Sequence, residues 1–288
     1  MRDTHPASPS VVVGIDGSRN AISAALWAVD EAVERDIPLR LVCAIEPHEG
    51  PLDPESAARA LATAEIAVRT AFTAVESTDE PVKIEVEILQ GLPAPTLLEA
   101  GRAAAMICIG ATGIKHATSG RVGSTAAALA AWTHSPVAII RGYDPLSTES
   151  RSVVVEVDQS PEGDALIERG IKEALLRSAP LVVISVWQPR VTDIHDCAAV
   201  DQQNCTLTAQ LNRRLARWIR RYPQLDVRPV AVRGNLLNYL APHAHSIQLV
   251  IVGARRSHGI AEMVGPPSYL ALHDTDCSVL VCNSHNAL

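Results

Sequence analysis

Gly110, Gly113, Gly123, Ser124 and Thr125 crowd a single connection, "GATGIKHATSGRVGST" (residues 110–125). Glycine loses more conformational freedom on folding than any other residue, so a cluster of glycines marks backbone that bends sharply or comes close to something. An apolar, Ala-rich stretch, "AAALAAW", follows Thr125 at once and reads as a helix. Unpaired N–H groups at a helix N-terminus, beside glycine peptides, form a cradle for anions, and Ser and Thr hydroxyls add donors for phosphate oxygens. The competing reading makes Ser124 an ordinary helix cap and the glycines ordinary turns; it accounts for Ser124 better than for the spacing of Gly110, Gly113 and Gly123. No G-K-[ST] follows, so this is not a Walker A loop, and G-x-G-x-x-G is absent.

A second candidate group is Asp16, at the end of the apolar run "VVVGIDGS". A carboxylate there can accept hydrogen bonds from a ligand's hydroxyl or amino groups. Asp followed by Gly-Ser and a helix is equally a turn, with Asp16 or Ser18 as the cap.

The elements that position these groups occur twice. "VVVGID" (11–16) returns as "VVVEVD" (153–158), and "PLRLVCAIEP" (38–47) as "PLVVISVWQP" (180–189), both at an offset of 142. "LQGLP" (89–93) lies over "VRGNL" (232–236), and "ICIGATG" (107–113) over "VIVGARR" (250–256), both at 143; "SPVAII" (135–140) over "CSVLVC" (277–282) restores 142. A repeat of this length is a duplicated domain, each copy long enough to fold alone. The expected layout is a disordered tail over 1–9, a first domain over 10–143, a linker over 144–151 and a second domain over 152–288.

Within the first copy, β-branched runs near 10–15, 39–45, 82–89, 105–110 and 136–141 alternate with helical patterns near 19–36, 56–76, 94–102 and 124–133. That alternation predicts an α/β domain with a mostly parallel, doubly wound sheet. Ligands of such sheets bind beyond the carboxyl ends of the strands, which brings "GIDGS", "AIEP" and Gly110 onward to one place. Aromatic residues are 3% of the chain, so the core must be aliphatic.

Composition narrows the function classes. A net charge of −7 argues against nucleic acid, whose partners carry a basic surface. Cys43, Cys108, Cys197, Cys205, Cys277 and Cys282 form no C-x-x-C pair, which suits a reducing, cytoplasmic setting. The N-terminus lacks the apolar region of a signal peptide, and no run approaches the ~20 apolar residues that cross a bilayer. A soluble protein without a membrane role is expected.

With Gly110-x2-Gly113-x9-Gly123-Ser124, "VVVGIDGS" at the first strand and "SPVAII" at the last, the chain resembles the universal stress protein family in its tandem-domain form. The glycine spacing is similar to the ATP-binding subgroup's G-x2-G-x9-G-[ST]. The resemblance implies Rossmann-like, five-stranded sheets of order 3-2-1-4-5 with ATP across the switch point. Asp16 and the backbone near Ala44 would hold adenosine, and Gly14 would admit the base or ribose. Gly110, Gly113, Gly123, Ser124 and Thr125 would cradle the phosphates. Mg²⁺ would travel with the phosphates without protein ligands. The edge strands 136–141 and 278–282 would pair domain with domain, and a homodimer is possible.

The second copy departs from this pattern. Asp158 and Gly253 remain, but Arg256 replaces the second glycine, the spacer before Gly265 is one residue short, and Pro266-Pro267 replaces Ser-Thr. Proline has no N–H to donate. Glu156 replaces the strand-end glycine. The second domain is therefore expected to bind ATP weakly at best, through Asp158, Gly253 and Gly265, unless Arg255 and Arg256 restore anion affinity.

The leading function is an ATP-binding regulatory or signalling module of the stress response, acting on an unidentified protein partner. The rivals are a slow ATPase or autophosphorylating enzyme, using Ser124, Thr125 or His116, and a nucleotide-free interaction protein. No general base or arginine finger stands beside the cradle, so no catalytic residue is assigned. Three further features read as structural. His243 and His245, two apart, point away from each other and make no metal pair. "LNRRLARWIRRYP" (211–223) puts Leu211, Leu215, Trp218 and Ile219 on a core stripe and its arginines on a solvated face. The long segment 188–208 reads as a flap.

Overall fold

A computed structural model describes residues 9–47, 54–113, 122–143, 151–189, 197–255, 263 and 275–283. The chain divides into two units, Met1–Ser147 and Thr148–Leu288.

The first unit runs β1 (Val11–Gly14), α1 (Arg19–Glu34), β2 (Leu39–Ile45), α2 (Pro54–Glu76), β3 (Ile84–Gln90), α3 (Pro93–Ala100), β4 (Met106–Gly110), α4 (Ser124–Trp132) and β5 (Val137–Ile140). All its strand pairings are parallel, in the order β3-β2-β1-β4-β5. The central strand β1 and its neighbour β4 are apolar runs because both their faces are covered. Val11, Val12, Val13, Met106, Ile107 and Cys108 have no exposed surface. The edge strand β3 alternates charged and apolar residues and is only half-buried.

The second unit repeats the plan with β6 (Ser152–Glu156), α5 (Glu162–Leu176), β7 (Leu181–Trp187), α6 (Cys197–Arg221), β8 (Val227–Arg233), α7 (Leu237–His243), β9 (Ile247–Gly253) and β10 (Ser278–Cys282). Its order is β8-β7-β6-β9-β10, again all parallel. The tandem doubly wound architecture, with strand order 3-2-1-4-5 in each copy, is the one expected.

Duplication reaches the backbone and the buried charges. Asp36 (φ 51°) and Ser178 (φ 49°), 142 apart, make the same left-handed turn after α1 and α5. Gly91 (φ 150°) and Gly234 (φ 93°), 143 apart, follow β3 and β8. Glu31 and Glu173, also 142 apart, are buried glutamates, each paired with the arginine four residues on, Arg35 or Arg177. Arg169 joins the second pair at 2.5 Å.

The segment expected as a flap is corrected in part: from Cys197 onward it is the opening of α6, while 190–196 lie outside the described residues. His243 ends α7, where its ring stacks on Tyr239 at 4.4 Å, and His245 lies in a 3-10 turn. Among the described residues no helix is long and apolar enough to cross a membrane.

Candidate functional site

In the first unit, β1 ends at Gly14, and the chain turns through Gly17 (φ 84°), a conformation open to glycine at little cost. Of the two caps read for this turn, Ser18 is the one used, and Asp16 closes the turn before it. Ser18 caps α1, its hydroxyl accepting from the N–H of Ala21 at 3.2 Å. Asp16 Oδ1 accepts from the N–H of Ser18 at 2.9 Å, leaving the exposed carboxylate directed over the strand ends.

The chain from β4 meets it there. A side chain on Gly113 would put its Cβ 2.5 Å from Asp16 Oδ2. The backbone between is fixed from both sides: Ala111 N–H donates to Ile140 O at 2.7 Å, and Gly123 N–H donates to Ala111 O at 2.7 Å. Asn20 adds a clasp that sequence reasoning missed, donating to Thr112 Oγ1 at 2.5 Å. Its only signal in the sequence was a polar residue in the first turn of α1.

Helix α4 starts at Ser124, with Gly123 as the N-cap and no side chain capping it. Ser124 is thus not the cap that its position suggested. The early N–H groups of α4 have no partner within the helix, and its dipole favours negative charge at this end. Ser124 is exposed and Thr125 half-buried, so both hydroxyls stand beside those N–H groups.

Three of the other glycines have close protein neighbours of their own. The face of Gly14 lies under α3, where a Cβ would come 2.9 Å from Leu97 Cδ1. Gly110 is the point where β4 passes under α1, a Cβ there lying 2.7 Å from the carbonyl carbon of Asn20. Gly123 spends its N–H on Ala111 and closes the loop. Gly113 is the glycine whose open face meets Asp16. Cys43 and Ala44 lie on β2 near the same edge. Burial, with the negative charge of Asp16, pushes the Cys43 thiol above its usual range, so it stays protonated. Lys115 and His116 lie outside the described residues, and among those described no cluster of His, Cys, Asp or Glu suits a metal ion.

In the second unit the corresponding turn is built differently. Asp158 Oδ1 accepts from Ser160 N at 3.0 Å, but Gln159 replaces Gly17. Arg214, on α6, stands where α2 has the buried Ala71 (an offset of 143, as for β3 and β8). Its guanidinium donates to Asp158 O at 2.5 Å, Ser160 O at 3.0 Å and Asp164 Oδ1 at 2.7 Å. Arg217 takes the other oxygen of Asp164. Gly163 makes the room, since a Cβ there would stand 2.6 Å from Arg214 Nη2; the first unit has Ala21 at that position. Arg213, Arg217, Arg220 and Arg221 are exposed, as the solvated-face reading expects; Arg214 departs from it, turning inward to pin the loop. Gly253 closes β9 against Leu166, whereas Arg256, Gly265, Pro266 and Pro267 lie outside the described residues.

Two predictions follow from this geometry. Gly110→Ala is expected to lower the urea-unfolding free energy by about 1–3 kcal/mol, because the new methyl meets backbone that cannot move independently. Gly253→Ala meets only Leu166 Cδ1 at 3.3 Å and should be close to neutral. Equal losses in the two variants would refute the distinction. The second prediction concerns acid. Partial burial opposes ionisation of Asp164, but the hydrogen bonds and charges of Arg214 and Arg217 outweigh it and hold the carboxyl below its ordinary value. A carboxyl with a depressed folded-state pKa stabilises above its unfolded value and loses that contribution as pH falls through the folded one. Asp164→Asn should therefore flatten part of the stability loss below about pH 4, measured as urea midpoint against pH.

Comparison with known proteins agrees with this architecture. The family model described as "Universal stress protein family" matches residues 9–141 and again 149–283. The universal stress protein Rv2028c of Mycobacterium tuberculosis is 46% identical over 283 residues, covering 98% of each chain. Rv3134c of the same organism is 40% identical over 293 residues, covering 99% of this chain and all of its own. Among solved structures, a universal stress protein from Archaeoglobus fulgidus superposes with a TM-score of 0.68 at 17% identity, covering 95% of this chain and 96% of that one, a likeness of fold.

Proposed function

The chain belongs to the universal stress protein family, with two Usp domains in tandem, and from that premise we propose that its first domain binds ATP and works as a nucleotide-dependent regulatory module. The observation that carries this reading is the position of Gly113 between Asp16, whose Oδ2 stands 2.5 Å from the site of its missing Cβ, and Gly123, the N-cap of α4, whose start no side chain caps. A carboxylate suits the hydroxyls of a ribose, and a helix N-terminus flanked by Ser124 and Thr125 suits phosphate oxygens. The peptide of Gly113 lies between them with no side chain to hold a ligand away. Mg²⁺ would arrive on the phosphates and neutralise part of their charge.

For ATP to act as a signal it must bind one conformation or assembly better than another. We propose the edge strands β5 and β10 as the surfaces through which domains or copies pair, and a protein partner as the reader of the nucleotide state.

The test is calorimetric titration of nucleotide-stripped protein with Mg-ATP, after analysis of nucleotide released by denaturing the untreated protein. One Mg-ATP per chain is expected. Two per chain would show that the second domain keeps a working cradle despite Arg256 and Pro266. No binding and no carried nucleotide would dismiss the ATP reading and leave the interaction-protein reading standing.

A further inference from the structure

The two copies of the domain carry opposite charge on the same edge. Among the described residues β3 pairs only with β2, and β8 only with β7, so each is an outer strand of its unit. Each is reached from the end of the preceding helix, α2 or α6, through a short turn. At the offset of 143 that relates the two strands, residues 76–90 lie over residues 219–233. The first window holds five acidic residues and one lysine, a net charge of −4; the second holds four arginines and one aspartate, a net charge of +3.

The reversal extends to single positions. Lys83 pairs with Glu85 at 2.6 Å and Asp226 with Arg228 at 2.5 Å, so the same two sites read plus-minus in one unit and minus-plus in the other. Glu76, Asp79 and Glu80 stand exposed on the acidic edge, and Arg220, Arg221 and Arg233 on the basic one. Arg220 engages no described residue, and Arg221 lies over the ring of Tyr222. Each window also exposes one large apolar side chain, Val86 at 46% and Ile219 at 37%.

This distribution selects the partner. Acidic edge against acidic edge repels, as does basic against basic; the β3 edge of one copy and the β8 edge of another set opposite charges face to face. Addition of one strand to the other is not the means, because Pro229 lies within β8 and proline on an edge strand blocks a further ladder. The attraction therefore rests on side chains, with Val86 and Ile219 as apolar surface that the contact removes from water.

We propose that copies of this chain associate head to tail, the acidic β3 edge of one docking on the arginine-rich β8 edge of the next. A contact between two different surfaces leaves one of each unused at the ends, so it continues from copy to copy. Exposed ion pairs contribute little singly and are screened by salt, which makes the association weak and salt-dependent. The inference goes beyond ATP binding by the first domain, does not depend on it, and uses neither β5 nor β10.

The test is sedimentation velocity of the full chain over a concentration series. The average mass is expected to rise with concentration, and the association to weaken at least about tenfold between about 0.15 and 1 M NaCl, as the screening length falls from about 8 to about 3 Å. Glu76→Lys/Glu80→Lys/Glu85→Lys makes the acidic edge basic, and Arg220→Glu/Arg221→Glu/Arg228→Glu makes the basic edge acidic. Each variant alone should lose the concentration-dependent growth while its thermal midpoint stays within a few degrees of the parent's. Mixed one to one, the two should associate again, because each offers the charge that the other lacks; a misfolded variant would not be rescued in this way. Growth that persists in both variants or at high salt, or a mixture that behaves as the sum of its parts, would overturn the proposal. So would a parent chain that keeps one mass throughout the series, including one that instead takes up poly-glutamate and thereby reserves its arginine edge for a different acidic partner.

Discussion

Gly113→Val is expected to lower the affinity for Mg-ATP at least a hundredfold, about 2.7 kcal/mol of binding free energy, while thermal unfolding stays close to that of the parent. The reason lies in what the new side chain meets. A Cβ at 113 stands 2.5 Å from Asp16 Oδ2, the end of an exposed, movable side chain. The carboxylate swings away at little cost to the fold, but it leaves the position from which it would hold ribose hydroxyls. The branched methyls then occupy the space beside the start of α4 that the phosphates need. Asp16→Ala should weaken binding by a smaller factor, since it removes one contact and leaves the phosphate end open. The double variant should fall short of the sum of the two effects, because residues sharing one interaction couple. Titration of the four proteins decides the matter. Unchanged affinity in Gly113→Val would remove this loop from the binding site.

Glu173→Ala carries the largest expected effect on stability, a loss of about 3–5 kcal/mol in urea unfolding. Glu173 is 1% exposed and lies between Arg169 and Arg177, whose side chains are 17% and 6% exposed. Removing the carboxylate leaves two guanidinium groups in a site with little water to solvate them. The attraction within such a cluster is largely offset by the cost of burying it, so the penalty comes from breaking the set. Replacing Glu173 and Arg177 together by apolar residues should therefore recover part of the loss. A Glu173→Ala variant within about 1 kcal/mol of the parent would show that the arginines find other solvation.

The fold was legible in the sequence because it is written in local pattern. Apolar runs such as "VVVG" and "MICIG" suit strands buried on two faces, and their alternation with Ala-rich amphipathic stretches points to a parallel sheet with crossover helices as the connections. The repeat offsets of 142 and 143 located corresponding strands without any coordinate, and the left-handed turns at Asp36 and Ser178 repeat one of those offsets. The sequence also singled out Asp16, Gly113 and the start of α4, because strand ends and a glycine-rich approach to a helix are local features.

Tertiary structure alone decided what each glycine faces and which polar groups are already engaged. Gly14, Gly110 and Gly113 look alike in a motif; packed, the first lies under Leu97, the second under α1, and the third against Asp16. Arg214 read as one arginine of a solvated face, yet it reaches 50 residues back along the chain to Asp164. The physical reason is common to all these cases. Periodicity and turn chemistry act between neighbours in sequence, so they can be read in order. Close approach and hydrogen-bond partnership act between segments that only folding brings together, and no spacing within one segment encodes them.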